Sequence, residues 1–338
     1  MLTETGNHGP VIIPIVKTPD AGTTMSSPTV RKLSVGAAAE GQRIDNFLLR
    51  ELRGLPKTRL YRLLRKGEIR VNGGRVKPVY RLKAGDELRL PPLHGLAGKA
   101  SVSVPPKVLE RLRACIIHED DDLLVLDKPS GLAVHGGSGL AFGVIEALRV
   151  LRPEDRQLEL VHRLDRETSG CLLVARRRSH LRELHALIRD GGLEKRYLAL
   201  VAGRLPRGAT PVEAELDVDH RQGGERTVRV VHEGKAARSV FRRLRTFDDW
   251  SLADVTIDTG RTHQIRVHAS HIGHPLAGDS RYGDESANGR LRKAGLNRLF
   301  LHASALTFTD AKGRERRFEA PLPVDLAAVV DTLSGDKQ

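Results

Sequence analysis

The sequence lacks much of what several protein classes require. Its 338 residues include two cysteines, Cys115 and Cys171, one tryptophan and only 4% aromatic residues. Two cysteines cannot build a disulfide framework or a four-cysteine zinc site. Both sit in apolar runs, ACII and GCLLV, a setting that suits reduced thiols in a cytoplasmic protein. No apolar run approaches the ~18 residues of a membrane span. VIIPIV, at 11–16, is short, broken by proline and without a basic leader, so it does not read as a signal peptide. Several enzyme signatures are also missing. GGSGLAFG (136–143) lacks the GK[ST] ending of a phosphate-binding loop, and Ser169 lacks the G-x-S-x-G elbow of a hydrolase nucleophile. His263, His268, His271 and His274 lack the HExxH spacing of a zinc hydrolase, so they read as hydrogen-bonding side chains and no metal is expected.

Positive charge is abundant. Lysine and arginine total 56 against 42 acidic residues, a net charge of +14, and such an excess points to a polyanionic partner. It is concentrated in residues 41–90, where 14 lysines and arginines against 5 acidic residues leave +9. Ile44, Phe47 and Leu48, and then Leu60, Leu63 and Leu64, fall at helical spacing. Gly67 is expected to stop the second helix, Asn72-Gly73 to turn a hairpin and Ala84-Gly85-Asp86 to make a second turn. Lys57, Arg59, Arg62, Arg65 and Lys66 fall mostly off the leucine stripe and form a basic face suited to phosphates.

This unit is flanked by segments of another kind. Residues 1–32, rich in Gly, Pro, Ser and Thr, read as a disordered tail. Residues 91–113, with Pro91, Pro92, Gly95, Gly98, Pro105 and Pro106, have the composition of a linker. The remainder, 114–335, alternates strand-like runs (LLVL, CLLVA, YLALV, RTVRVV, SVFRRL, LADVTI) with helices bearing Leu181, Leu184, His185 and Ile188, or Ile265, Ala269 and Ile272. That pattern predicts an α+β fold with a mainly antiparallel sheet.

Two segments carry candidate chemistry. In LVHRLDRETSGCLLVA (160–175) a charged run lies between apolar strands, where scaffolds commonly present reactive groups. Asp165 lies between Arg163 and Arg166, which favour its ionised form; such a carboxylate serves as nucleophile, base or structural ion pair. In DTGRTHQIRVHASHIGHPLAGDSRYG (258–283), Thr262 is a candidate helix cap, and Arg266, opposite the apolar stripe, is placed to orient a carboxylate.

PKTRLYRLLRKGEIRVNGGRVKPVYRLKAGDELRL resembles the S4 RNA-binding domain. VLDKPSGLAVHGG, HRLDRETSG, EKRYLALV, GRTHQIRVHASHIGHPLAGDSRYG and LFLHA, in that order, resemble the RluA-type pseudouridine synthases, and the likeness runs from about residue 34 to 335. The resemblance implies an isomerase that converts uridine to pseudouridine in structured RNA, with overall similarity suggesting 23S ribosomal RNA or a large-subunit assembly intermediate as partner. It implies Asp165 as catalytic nucleophile, Tyr197 packed on the target base near the proton to be moved, Arg266 paired with Asp165, and Arg163 entering the RNA stack beside a flipped uridine. The reaction needs no redox change or group donor, so no cofactor is expected, and a monomer is the default. Two other readings remain: a purely RNA-binding assembly factor built on the basic module, and a metal-dependent nuclease using Asp120, Asp121 and Asp122.

Overall fold

The computed structural model describes residues 30–52, 55, 57–93, 103–137, 140–220 and 226–335. The expected tail therefore lies almost wholly outside the described residues, as does the middle of the expected linker. The chain divides into two compact units, residues 1–100 and 101–338.

In the first unit, β1 (Arg31–Ser34), α1 (Ile44–Glu51), α2 (Lys57–Lys66), β2 (Arg70–Val71), β3 (Gly74–Arg75) and β4 (Glu87–Leu90) follow in order. The sheet runs β1-β4-β2-β3 with every pair antiparallel. Both predicted helical stripes face one core, in which Ile44, Phe47, Leu48, Leu60, Leu63 and Leu64 pack on Ile69, Leu82 and Leu88. Two residues separate β2 from β3, and both are left-handed (Asn72 φ 48°, Gly73 φ 79°), the backbone that matches strand twist in a two-residue hairpin. With the leucines of α2 buried, Lys57, Arg62, Arg65 and Lys66 are exposed and Arg59 is half-buried.

The second unit begins inside the expected linker. Pro106–Ala114 forms α3, with proline at its first turn where the missing N–H costs nothing, and Leu112 is fully buried in the unit's core. The prolines thus mark a helix start as well as a chain break. There follow β5 (Ile116–Glu119), β6 (Leu123–Lys128), α4 (Val144–Leu151), β7 (Glu159–Leu160), β8 (Ser169–Ala175), α5 (Arg178–Arg189) and β9 (Leu193–Ala202). After these come β10 (Ala209–His220), β11 (Arg226–Val231), β12 (Lys235–Thr246), β13 (Trp250–Ile257), α6 (Gln264–His271), α7 (Glu285–Lys293), β14 (Leu301–Thr309), β15 (Glu315–Glu319) and α8 (Val324–Ser334). Of GGSGLAFG, residues 138 and 139 lie outside the described residues, and Gly143 caps α4 with help from the Glu146 carboxylate.

One large sheet runs β11-β10-β12-β13-β9-β14-β8-β6-β5, with β15 beside β14 and β7 beside β8. Among the described strands only β8 and β14 pair in parallel. Both faces of the sheet's centre are covered, so β8 reads as a continuous apolar run rather than an alternating one. Leu172 and Val174 face one core with α3, α4 and α6, while Cys171, Leu173 and Ala175 face another with α5. Gly170 (φ +107°) is required where β8 meets β14, because a Cβ there would lie 2.1 Å from the Ala303 carbonyl oxygen. The fold is α+β with a mainly antiparallel sheet, as the strand and helix patterns predict.

Candidate active site

The loop from Val161 to Thr168 carries Asp165 between β7 and β8. It is fixed from both ends. His162 Nε2 accepts the Leu173 backbone N–H (3.1 Å), taking the place of a strand carbonyl, and burial followed by the Lys195 charge pushes this imidazole down to about 4. From the other side the loop after β6 clamps residues 166 and 167. Lys128, fully buried, donates its ammonium hydrogens to the carbonyls of Pro129, Leu132 and Arg166. Gly131 N–H reaches Arg166 O, and Ser130 Oγ reaches Glu167 O. Burial lowers the Lys128 pKa to about 7 and the Asp165 charge opposes the fall. Leu164 points into the core and leaves Asp165 partly exposed, 17% of its side chain.

Tyr197 comes from β9, on the same face of the sheet as Leu164 and α6, and is 6% exposed. Burial, then the neighbouring Asp165 charge, raises the Tyr197 pKa well above that of an ordinary phenol, so it is a neutral hydroxyl at any physiological pH.

Arg266 sits in α6, where Gln264 through Ala269 are all buried. These six consecutive buried residues cover every direction around the helix start, so Arg266 does not face solvent opposite an apolar stripe. A guanidinium this deep needs a carboxylate. Its bidentate partner is Asp279: Nε and Nη2 each donate over 2.8 Å. Asp165 is the second partner, with Oδ2 3.7 Å from Arg266 Nη1. Asp279 also accepts the backbone N–H groups of Arg281 and Tyr282. Burial pushes its carboxyl up, and the guanidinium and these N–H groups outweigh burial and hold it below the ordinary range. Sequence reasoning does not single out Asp279; the one available signal is an aspartate in GDSRYG shortly after an arginine too apolar in its setting to stand alone.

The cap of α6 is not Thr262 but His263, in the left-handed region (φ 53°) with no side-chain cap bond. Gln264 ties the helix start to its surroundings, accepting from Thr259 Oγ1 and Arg261 N–H and donating to Arg238 O and Ser239 Oγ. That anchorage holds His263 so that Nε2 lies 4.0 Å from Asp165 Oδ2 and Nδ1 lies 2.9 Å from the Tyr282 hydroxyl. Burial lowers the His263 pKa against the pull of Asp165, with Arg266 and Arg281 adding to the fall.

Asp165, Tyr197, His263 and Arg266, with Arg163, Ile257 and Leu301, line one recess of about 50 Å³. Arg163 is exposed, and its side chain bonds to no described residue. A larger cavity, about 430 Å³, lies behind the Lys128 loop and contains none of Asp165, Tyr197 or Arg266. The helix α2, with its basic residues, belongs to the first unit. Among the described residues no three His, Cys, Asp or Glu side chains gather as a metal ion would need. Asp120, the first of the aspartate run, instead closes a turn onto the N–H groups of Asp122 and Leu123 and pairs with His118 and Arg316. No described helix is long and apolar enough to cross a membrane.

A partly exposed carboxylate, a neutral buried phenol and a buried arginine line one recess. Residues 122–271 match the RNA pseudouridylate synthase family and residues 42–88 the S4 domain. The human protein RNA pseudouridylate synthase domain containing 4 has a similar structure, with TM-score 0.56 and 25% identity over 68% of this chain and 96% of that one. The chain belongs to the RNA pseudouridine synthases, which are isomerases, and carries an S4 domain ahead of the catalytic unit. Within that family it is similar to the ribosomal large subunit pseudouridine synthase C of Escherichia coli K12, 51% identical over 91% of this chain and 98% of that protein. The protein of the same description from Yersinia pestis is 52% identical over 88% of this chain and 93% of its own length.

Proposed function

We propose that this enzyme isomerises specific uridines of 23S ribosomal RNA in the cytoplasm, acting as a monomer, with Asp165 as nucleophile. The observation that carries the assignment is the environment of Asp165. Both close basic groups, Arg266 Nη1 and His263 Nε2, approach the same oxygen, Oδ2. Oδ1 has no hydrogen-bond partner among the described residues. A carboxylate flanked by these groups at 3.7 and 4.0 Å, with neither oxygen hydrogen-bonded among the described residues, is open to attack a substrate.

The reaction breaks the N1–C1′ bond, turns the uracil and joins C5 to C1′; a proton leaves C5 and one is gained at N1. A stacked base cannot turn in place, so the nucleotide is flipped out at a cost of a few kcal/mol. Arg163, cationic and exposed at the recess rim, is placed to fill the vacated stack and offset that cost. Asp165 then assists bond cleavage by attack at C1′ or C6, or by removing the C2′ proton. Arg266 aims its carboxylate, itself aimed by Asp279. Tyr197, kept as a neutral phenol, offers a ring for uracil to pack on and an oxygen near C5. Lys57, Arg59, Arg62, Arg65 and Lys66 on α2 hold RNA phosphates, and the strength of that grip falls with salt. Size, basicity and the match to large-subunit synthases along nearly their whole length support 23S RNA as the substrate.

The test is a pseudouridine map of 23S RNA from cells lacking the protein, complemented with wild type or Asp165→Asn. Discrete sites are expected to vanish and to return with wild type only. In vitro the substitution is expected to lower the rate by about 10⁴-fold, the scale seen when a member of a catalytic group is removed. A map that does not change rules out 23S RNA; full restoration by Asp165→Asn rules out the nucleophile.

A further inference from the structure

A chain of hydrogen bonds reaches Asp165 from the edge of the sheet. Strand β11 is the sheet's edge, so alternate N–H groups point away from β10. One of them, Val228 N–H, donates to the Tyr282 hydroxyl over 2.9 Å. A hydroxyl has a single hydrogen to give. With its oxygen accepting from Val228, the Tyr282 hydroxyl keeps its hydrogen available for the other neighbour, His263 Nδ1, also at 2.9 Å. When Nδ1 accepts that hydrogen, the ring's own hydrogen resides on Nε2, the atom 4.0 Å from Asp165 Oδ2. Tyr282 is itself held: its ring packs edge-on against His263 and lies beneath the Arg266 guanidinium, and its N–H binds Asp279. Tyr282 thus braces both groups that face Asp165 Oδ2.

We propose that His263 is a positioning residue for the isomerisation, a neutral imidazole whose Nε2–H, fixed in that tautomer by Tyr282, holds Asp165 Oδ2 as the carboxylate meets the base. The inference rests on Asp165 as the nucleophile. The left-handed backbone at His263 fits a function rather than convenience, since asparagine or glycine would sit there at lower cost. Arg266 supplies charge to Oδ2 and His263 supplies direction, so that Oδ1 turns to the substrate.

Two substitutions separate this role from a merely structural one because they rank oppositely. Glutamine places an amide N–H near the position of Nε2 but gains nothing from the backbone. Asparagine suits the left-handed backbone but ends near Nδ1 and gives Asp165 no donor. Single-turnover tritium release from 23S RNA labelled at uridine C5 is measured for His263→Gln, His263→Asn and Tyr282→Phe of the full chain, beside Asp165→Asn and with RNA affinity in parallel. His263→Asn is expected to lose about tenfold to a hundredfold in rate, within the scale of removing one preorganised donor, with RNA affinity unchanged. His263→Gln keeps the rate within about threefold of wild type, and Tyr282→Phe, which frees the tautomer, falls between. A His263→Asn enzyme at wild-type rate, or glutamine and asparagine variants that fall together, overturns the proposal. An inactive Asp165→Asn enzyme beside a fully active His263→Asn enzyme removes the His263 role alone. Activity in Asp165→Asn removes the nucleophile reading and this inference with it.

Discussion

The helices α2 and α6 both carry arginine, with different consequences. In α2 the leucines go inward and Lys57, Arg62, Arg65 and Lys66 stand in solvent, where each charge is cheap to keep and free to meet a phosphate. In α6 residues 264–269 are all buried and Arg266 is 6% exposed, where a charge persists only with a partner and in one geometry. The first arrangement gives grip without precision and the second gives precision at a cost in desolvation. A pseudouridine synthase needs both, because it must hold a large polyanion and also aim one oxygen atom.

Removing the buried partner should separate the two helices most sharply. Asp279→Ala leaves Arg266 with Asp165 alone, at 3.7 Å and without a hydrogen bond, and the expected loss is about 3–5 kcal/mol of stability, lowering the melting temperature by about 10 °C, together with nearly all activity. Calorimetry and single-turnover assays check it; a stable, active Asp279→Ala protein would mean that Asp165 alone suffices for Arg266.

Replacing all five basic residues of α2 by glutamine should do the reverse. Melting should barely move and RNA affinity should fall about a hundredfold. The salt dependence should flatten by about one unit of slope for each phosphate no longer held. Filter binding across a salt series reads both. Loss of stability without loss of affinity would make α2 a structural helix.

The smallest effect is a difference in acid sensitivity. In the catalytic unit, burial puts His162 and His268 at about 4, below the ordinary 6.5. Below pH 6.5 the unfolded chain takes up protons that the folded unit refuses, so stability falls as pH falls, by about 1 kcal/mol from each histidine at pH 5.5. In the first unit Asp45 is held at about 2, chiefly by the Arg43 hydrogen bond and also by Tyr61. Its contribution is present above the ordinary 3.8 and is lost only as pH falls toward 2. Hydrogen exchange between pH 7 and 4.5 should therefore show the catalytic unit opening first; the first unit opening first would reverse the comparison.

How far the sequence reveals each helix follows the same divide. The leucine stripe of α2, the Asn72-Gly73 hairpin and the apolar run of β8 were legible because local pattern and burial agree there. Asp165, Tyr197 and Arg266 were legible through motif resemblance, and the structure brings them to one recess. Asp279, Tyr282 and the role of His263 were not, because each depends on a contact across 13 residues or more, and spacing on a helix says nothing about such contacts. The prolines near 105 misled in the opposite direction, since the same residue that ends a chain segment also opens α3.

Strand β14 lies between β8 and β9, so the strand that follows Asp165 and the strand that carries Tyr197 are neighbours only through a segment made near the end of the chain. A ribosome synthesising this protein releases the basic N-terminal unit first and Asp165 and Tyr197 well before Leu301–Thr309. Pairings this distant in sequence form late. The S4 domain is thus complete in sequence while the strands that flank the recess still lack the strand that joins them.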